Sequence, residues 1–283
     1  MASKGDANKY TLADRMKDYE AVTTSAVLMP GLPVYVRIDQ RAGHTWTRGL
    51  QKPFDPEYTF AIQETTKYLV EKTGAVVGYC QSDEISLVYL DPSKLPFETR
   101  LFKIESVFAS MATAAFIAAC LKTERLKDKA LKSLPSFDCR ACSMPTLAEA
   151  ANMILWRELD CLKNSVTMAA LDEFSDKQIH KKNTDDKIQM LKNLKGIVYE
   201  EKYPEHLRYG SYFRRELYLK PLSDEDKARI PADQLSKIAV NDESGQLCVT
   251  RSRISQFTIG MPLKIVENRE EVLFSNGKAR RKP

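Results

Sequence analysis

The stretch VYVRIDQRAGH, residues 34–44, decides how this chain is read. Val34, Tyr35, Val36 and Ile38 form an apolar run of the kind that fills a buried strand. The run stops at Asp39, and Gln40, Arg41, Ala42, Gly43 and His44 follow. A strand ending this way carries an acid to the rim of its sheet. A lone acid there is ordinarily a turn or cap residue, so its meaning depends on what the chain writes next.

One helical segment later comes YCQSDEISLVYL, residues 79–90. AVVGYC and ISLVYL read as two strands, and QSDE between them is the turn of a hairpin that carries Ser82, Asp83 and Glu84. The intervening helix is expected from Pro56 to Lys72, with Phe60, Thr65 or Thr66, Leu69 and Val70 inward and Gly74 closing it. A long helix is expected over 97–122, where Leu101, Ile104, Phe108, Met111 and Ala115 recur at three or four. SFDCRAC (136–142) reads as a further strand. Together these give a βαββαβ layout with antiparallel pairing and a helix layer on one face, an α+β fold.

Around this frame, residues 11–24 read as a helix with Leu12, Met16 and Tyr19 at helical spacing. TLAE (146–149) is a capping box before another helix that carries Trp156. TDDKIQMLKNLKG (184–196) reads as an amphipathic helix ended by Gly196. YFRRELYLK (212–220) is expected as a strand, QLCVTRSRISQFTI (246–259) as a hairpin, and GKARRKP (277–283) as a basic, mobile tail. Residues 1–215 are read as one catalytic domain with helical additions and residues 216–283 as a C-terminal extension.

Composition bounds the function only loosely. The chain has 283 residues, is 43% hydrophobic and 29% charged, and carries a formal net charge of +5. That permits a nucleic-acid partner without requiring one. MASKGDANKY lacks the apolar core of a signal peptide. FASMATAAFIAACL (108–121) is short and alanine-rich for a membrane span and reads as a buried helix. Most of the six cysteines fall in apolar runs, which suits a reduced, intracellular protein. CRAC (139–142) has zinc-like spacing but lacks a second ligand pair.

The acids carry the chemistry. Asp39 and Asp83 fall on strands that neighbour each other in a βαββαβ sheet, so both carboxylates can reach one place. Two rigid oxygen ligands suit magnesium, which takes its remaining ligands from water and substrate phosphates. Arg37, Arg41, His44 and Lys52 crowd the same loop, as a polyphosphate site requires. Gly43 and the small Ala42 leave main-chain N–H groups open. There is no GxxxxGK[ST] and no GxGxxG. His180 and His206 read as surface residues, and Trp156, Phe108 and Phe116 as core.

RIDQRAGHTW followed by YCQSDEISLV resembles the paired signatures of the tRNA-histidine guanylyltransferase family, R-[LI]-D-G-R-x-F-H-x-F and Y-x-Q-S-D-E-x-S-[LF]-V. KPFD (52–55), FDCR (137–140) and the Trp156–Asp160 stretch fall in the family's order. The resemblance covers roughly residues 10–215. It implies a palm-like domain similar to polymerase and cyclase palms, and nucleotide addition in the 3′-to-5′ sense: ATP activates a tRNA 5′-monophosphate, and the 3′-hydroxyl of GTP or another NTP attacks the activated end. It implies two Mg2+ held by Asp39, Asp83 and the Gln40 carbonyl, with Glu84 assisting catalysis. Residues 39–44 (Asp39, Gln40, Arg41, Ala42, Gly43, His44) and Ser82 would cradle triphosphate. His44 and Lys52 match positions linked to activation, and Lys163 and Asn164 stand where nucleotide or RNA contacts, or mere solvent exposure, are equally compatible with the pattern. A cytoplasmic homotetramer built as a dimer of dimers, without membrane association, is implied as well.

The chain departs from the family pattern at Gln40, at Gly43 and at LKNSVTM (162–168), where the family writes H-I-N-N-L-Y-N. That leans toward the like-protein branch, which adds templated nucleotides to 5′-truncated tRNAs. A palm-fold nucleotide cyclase and a non-catalytic tRNA-binding module are the alternatives.

Overall fold

The structure is a computed structural model and describes residues 10–282, which leaves the leader reading of residues 1–9 outside the described residues. Its strands are β1 (Val34–Gln40), β2 (Val77–Gln81), β3 (Glu84–Tyr89), β4 (Phe137–Ser143), β5 (Ser211–Pro221), β6 (Ala239–Asn241) and β7 (Leu247–Phe257). They form one antiparallel sheet in the order β4-β1-β3-β2-β5-β7-β6. The first four strands are those expected, and residue 215 lies within β5.

The helices are α1 (Leu12–Thr24), α2 (Gly43–Trp46), α3 (Pro56–Thr73), α4 (Leu101–Cys120), α5 (Glu124–Lys132), α6 (Leu147–Glu173) and α7 (Asp176–Ile179). After them come α8 (Thr184–Lys195), α9 (Tyr199–Lys202), α10 (Glu205–Tyr209), α11 (Asp224–Arg229), α12 (Ala232–Ile238) and α13 (Arg269–Phe274).

Strand alternation divides the core in two. On one face Val34, Val36, Ile38, Ile85 and Leu87 pack against Ile62, Leu69 and Val70 of α3 and Ile104, Phe108 and Phe116 of α4. Each such side chain, fully buried, contributes about 1.5–3 kcal/mol. The boundaries of α3 follow from its sequence: Asp55 caps it by accepting from the Glu57 and Tyr58 amides, Pro56 starts it, and Gly74 ends it at φ 77°. Phe60 is 39% exposed, against expectation. Thr65, Thr66, Leu69 and Val70 are buried as expected, and Tyr58, Ala61, Ile62 and Thr73 complete the stripe, with each buried threonine hydroxyl bonded to the carbonyl four residues back.

The second face is covered too, where the sequence reading placed helices on one face. Tyr35, Val77, Tyr79 and Val88 pack against Ala150, Ala151 and Ile154 of α6, and Ile259, Leu263, Val266, Val272 and Leu273 close that side. The buried stripe of α6 is made of small and polar residues, among them Arg157, Glu158 and Cys161, so its periodicity was weak.

Other readings change as well. α4 begins at Leu101, after Phe97, Glu98 and Thr99 at positive φ, and its buried stripe runs through Ala112 and Phe116 rather than Met111 and Ala115. It is the one helix among the described residues long and apolar enough to cross a membrane, and its inner stripe is built into the core. QLCVTRSRISQFTI is one long strand paired with β5 along its length, not a hairpin in itself. The basic tail is anchored: Arg281 bridges Val266, the Lys282 amide donates to the Ile265 carbonyl, and Arg280 pairs with Glu271 at 3.2 Å. All six cysteines are free, and the thiols of Cys139 and Cys142 belong to opposite faces of the sheet.

Candidate active site

Antiparallel register assembles the acids. Asp39 at the end of β1 lies opposite Glu84 of β3 on one side and Asp138 of β4 on the other. Opposed residues share a face, so the three carboxylates form a row on the α6 side. Asp83 joins them from the β2–β3 turn, where the Gln40 amide donates to the Asp83 carbonyl at 3.0 Å and ties the two segments. Ser82, at φ 50°, makes this turn.

Electrostatics mark the row. Burial raises the Asp39 pKa, and the nearby Asp83 and Asp138 carboxylates raise it further, against Arg37 and Arg140. Asp83 is raised chiefly by burial, with His44 acting in the opposite direction. Half-buried acids that repel each other are stabilised by a cation between them. Carboxylate oxygens of this kind are the donors a hard divalent ion such as Mg2+ takes, although among the described residues no three acids, histidines or cysteines stand together as a metal-binding group.

Glu84 is engaged differently. Its Oε1 accepts from Arg157 Nε at 2.6 Å, and Arg157 also donates to Asp160 at 2.8 Å. Burial raises the Glu84 pKa and the Arg157 guanidinium pulls it back. Glu84 thus anchors α6 beneath the acid row.

The loop after β1 is held from outside. The Arg41 amide donates to the Ser136 carbonyl, Trp46 Nε1 donates to the Ser133 carbonyl at 2.7 Å, and Lys129 Nζ donates to the Arg48 carbonyl. Ala42 adopts the left-handed conformation at φ 54° and starts α2 without a side-chain cap, so the first amides of that turn lack an intrahelical acceptor. Gly43 is buried while Arg41 and His44 are exposed.

A cleft opens between α3, the β2–β3 turn and α6; it meets the acid segment through Gln81 and Ser82, and Asp39, Asp83, Glu84, Asp138 and residues 40–44 lie outside its lining. Lys52, Ser82 and Asn164 line it together, with Tyr58 and Gln81 beneath. Lys163 is exposed and lies outside this lining; Asn164 donates to Asp160 at 3.1 Å. Gln40 is buried, its Oε1 accepting from the Tyr58 hydroxyl at 2.6 Å. His180 is exposed, but His206 is half-buried and lines the cleft, where burial lowers its pKa. Its placement depends on α10 packing back on β2, where the Tyr79 hydroxyl donates to the Tyr209 carbonyl across 130 positions, which no local motif signals. Trp156, expected in the core, is 49% exposed beside the acid row, while Phe108 and Phe116 are fully buried.

The family model described as tRNAHis guanylyltransferase matches residues 13–145. A bacterial tRNA(His) guanylyltransferase (Thg1)-like protein solved with ATP is 39% identical, covering 73% of this chain and 87% of that one, at a TM-score of 0.66. The chain belongs to the tRNAHis guanylyltransferase family. Its members are nucleotidyltransferases, and the mixed α+β fold described above is the fold of this family. A bacterial Thg1-like protein solved with GTP is 32% identical over 87% of this chain and 90% of that one, at a TM-score of 0.62. The tRNA(His) guanylyltransferase of Schizosaccharomyces pombe is 30% identical over 53% of this chain and 56% of that protein. An uncharacterised protein of Acanthamoeba polyphaga mimivirus is 26% identical over 73% of this chain and 77% of its own length.

Proposed function

We propose that this nucleotidyltransferase adds nucleotides in the 3′-to-5′ sense to the 5′ end of tRNA, repairing 5′-truncated molecules against their own acceptor strand. The observation that carries this is the convergence of Asp39 with Asp83 of the β2–β3 turn, whose neighbouring residue Ser82 lines a cleft with Lys52 and Asn164. The complexes of bacterial Thg1-like proteins with ATP and with GTP support a site that takes both nucleotides.

Two Mg2+ ions, when bound, supply activation of the attacking oxygen and charge neutralisation at the leaving one. Asp39, Asp83 and the Gln40 main-chain carbonyl would hold them. Arg41, Ala42, Gly43, His44 and Ser82 cradle the triphosphate, with main-chain amides of the turn and the exposed Arg41 and His44 meeting its oxygens. Lys52 and His44 serve the step in which the tRNA 5′-monophosphate attacks the α-phosphorus of ATP and expels pyrophosphate; the 3′-hydroxyl of GTP or another NTP then attacks the activated 5′-phosphorus and expels AMP. Glu84 acts through Arg157 by keeping α6 in place. Both steps are attacks at phosphorus, so one constellation serves both.

The replacement of the family's H-I-N-N-L-Y-N by LKNSVTM favours repair over guanylylation of one tRNA species. The protein works in the cytoplasm as a homotetramer, a dimer of dimers. The exposed apolar side chains Leu12, Tyr19 and Val22 of α1 fit burial against further copies.

The test is incubation of the protein with labelled GTP, ATP, Mg2+ and a 5′-monophosphorylated tRNA lacking its first nucleotide. Label at the tRNA 5′ end supports the proposal. A cyclic nucleotide formed without RNA, or RNA binding without turnover, contradicts it.

A further inference from the structure

Trp156 lies on the α6 side of the sheet, 49% exposed. Arg157 Cζ stands 4.3 Å and Arg37 Cζ 5.6 Å from its ring centroid. Arg157 is fixed in turn by Glu84 and Asp160, so the indole rests on a braced cation.

Arg37 is half-buried and, among the described residues, has no carboxylate within ion-pair distance. It lies directly opposite Arg140 in the β1–β4 ladder. Like charges facing each other across a ladder destabilise it. Arg140 pairs with Asp138 at 3.2 Å, while Arg37 acts on the Asp39 and Glu84 carboxylates only through space and stands against the Trp156 ring. An arginine without a direct carboxylate contact, a second arginine across from it and a half-exposed indole together offer what one nucleotide requires: cations for a phosphate and a π-surface for a base.

Trp156 and both arginines lie outside the lining of the Lys52–Asn164 cleft. The acid row therefore has two flanks, the cleft on the β2 side and the indole with its arginines on the β1–β4 side.

We propose that Trp156 is the platform on which the 5′-terminal base of the RNA stacks, with Arg37 and Arg140 meeting its phosphate; this rests on the function proposed above. The NTP occupies one flank of the carboxylates and the RNA end the other, so that the 5′-phosphate sits over Asp39. Single-stranded ends are recognised by stacking of this kind, and an unstacked 5′ base on a truncated tRNA has a free face to give.

The chain has two tryptophans, and Trp46 is buried against Tyr58 and Phe116, so Trp156 is the indole a ligand can reach. Titration of the full chain with the truncated, 5′-monophosphorylated tRNA is expected to quench indole emission. In Trp156→Phe the quench disappears while affinity is largely kept. Trp156→Ala weakens RNA affinity roughly 5- to 150-fold, the worth of one stacked base, and raises KM for RNA while KM for GTP is unchanged. Wild-type RNA affinity in Trp156→Ala, or a quench produced by GTP or ATP alone, overturns the platform while the proposed function stands. A wild-type protein that binds no tRNA overturns both.

Discussion

The Asp83 carboxylate fills the place that a side chain on residue 43 would take: a Cβ on Gly43 would stand 2.0 Å from Asp83 Oδ2. Gly43 has an ordinary φ, so glycine is required here by close approach rather than by backbone conformation. Gly43→Ala is expected to turn Asp83 out of its notch, because the segment behind it is tied through the Gln40 amide. A fall in nucleotidyl transfer of at least about 100-fold, the scale of losing one charge-positioning group, is expected with a near-native circular dichroism spectrum. Activity within a few-fold of wild type would show that Asp83 functions from another position.

Asp39→Asn and Asp83→Asn separate charge from shape. Both acids are raised by burial, and Asp39 also by its acidic neighbours. Removing either charge relieves a desolvated anion, so the melting temperature is expected to hold or rise while turnover collapses. A variant with lowered stability and retained turnover would place that residue in the scaffold instead.

The Arg157–Glu84 pair is a buried bridge between α6 and β3. Arg157→Leu leaves Glu84 buried without its counter-charge, at a cost of about 3–5 kcal/mol. Adding Glu84→Gln removes the stranded charge, and urea unfolding is expected to show the double variant more stable than Arg157→Leu alone.

Glu158 gives the fold a pH dependence. It is buried, accepts from the Tyr212 hydroxyl and from the Leu263 amide, and joins α6 to β5 and the C-terminal segment. Burial pushes its pKa from 4.5 up to about 7. The folded chain thus binds a proton that the unfolded chain has released between those values. Its contribution is complete below about pH 4.5 and is lost as pH rises through 7, on the order of 3 kcal/mol in all. Glu158→Gln is expected to flatten unfolding free energy against pH over that window; an unchanged slope would assign it to other groups.

The catalytic half of the fold was legible because its signals are local. An apolar run ending on Asp39, a hairpin turn at Ser82 and Asp83, and a proline start and glycine stop around α3 are each readable within a few residues. What stayed hidden depends on contacts between distant segments. Arg157 meets Glu84 across 73 positions and Tyr212 meets Glu158 across 54, so α6 looked like a polar helix with a core tryptophan. Phe60 and Trp156 show the same limit: both aromatics stand partly exposed, because periodicity reports a stripe, not the surface that stripe meets.

The two-carboxylate site is tested most directly by the anomalous scattering of Mn2+ in crystals of the full chain grown with ATP. Manganese is expected between Asp39 and Asp83, with an oxygen of each at about 2.0–2.2 Å, a spacing typical of small hard cations. Manganese bound elsewhere, with the two carboxylates turned to separate surroundings in the presence of nucleotide, would contradict the site and the chemistry built on it.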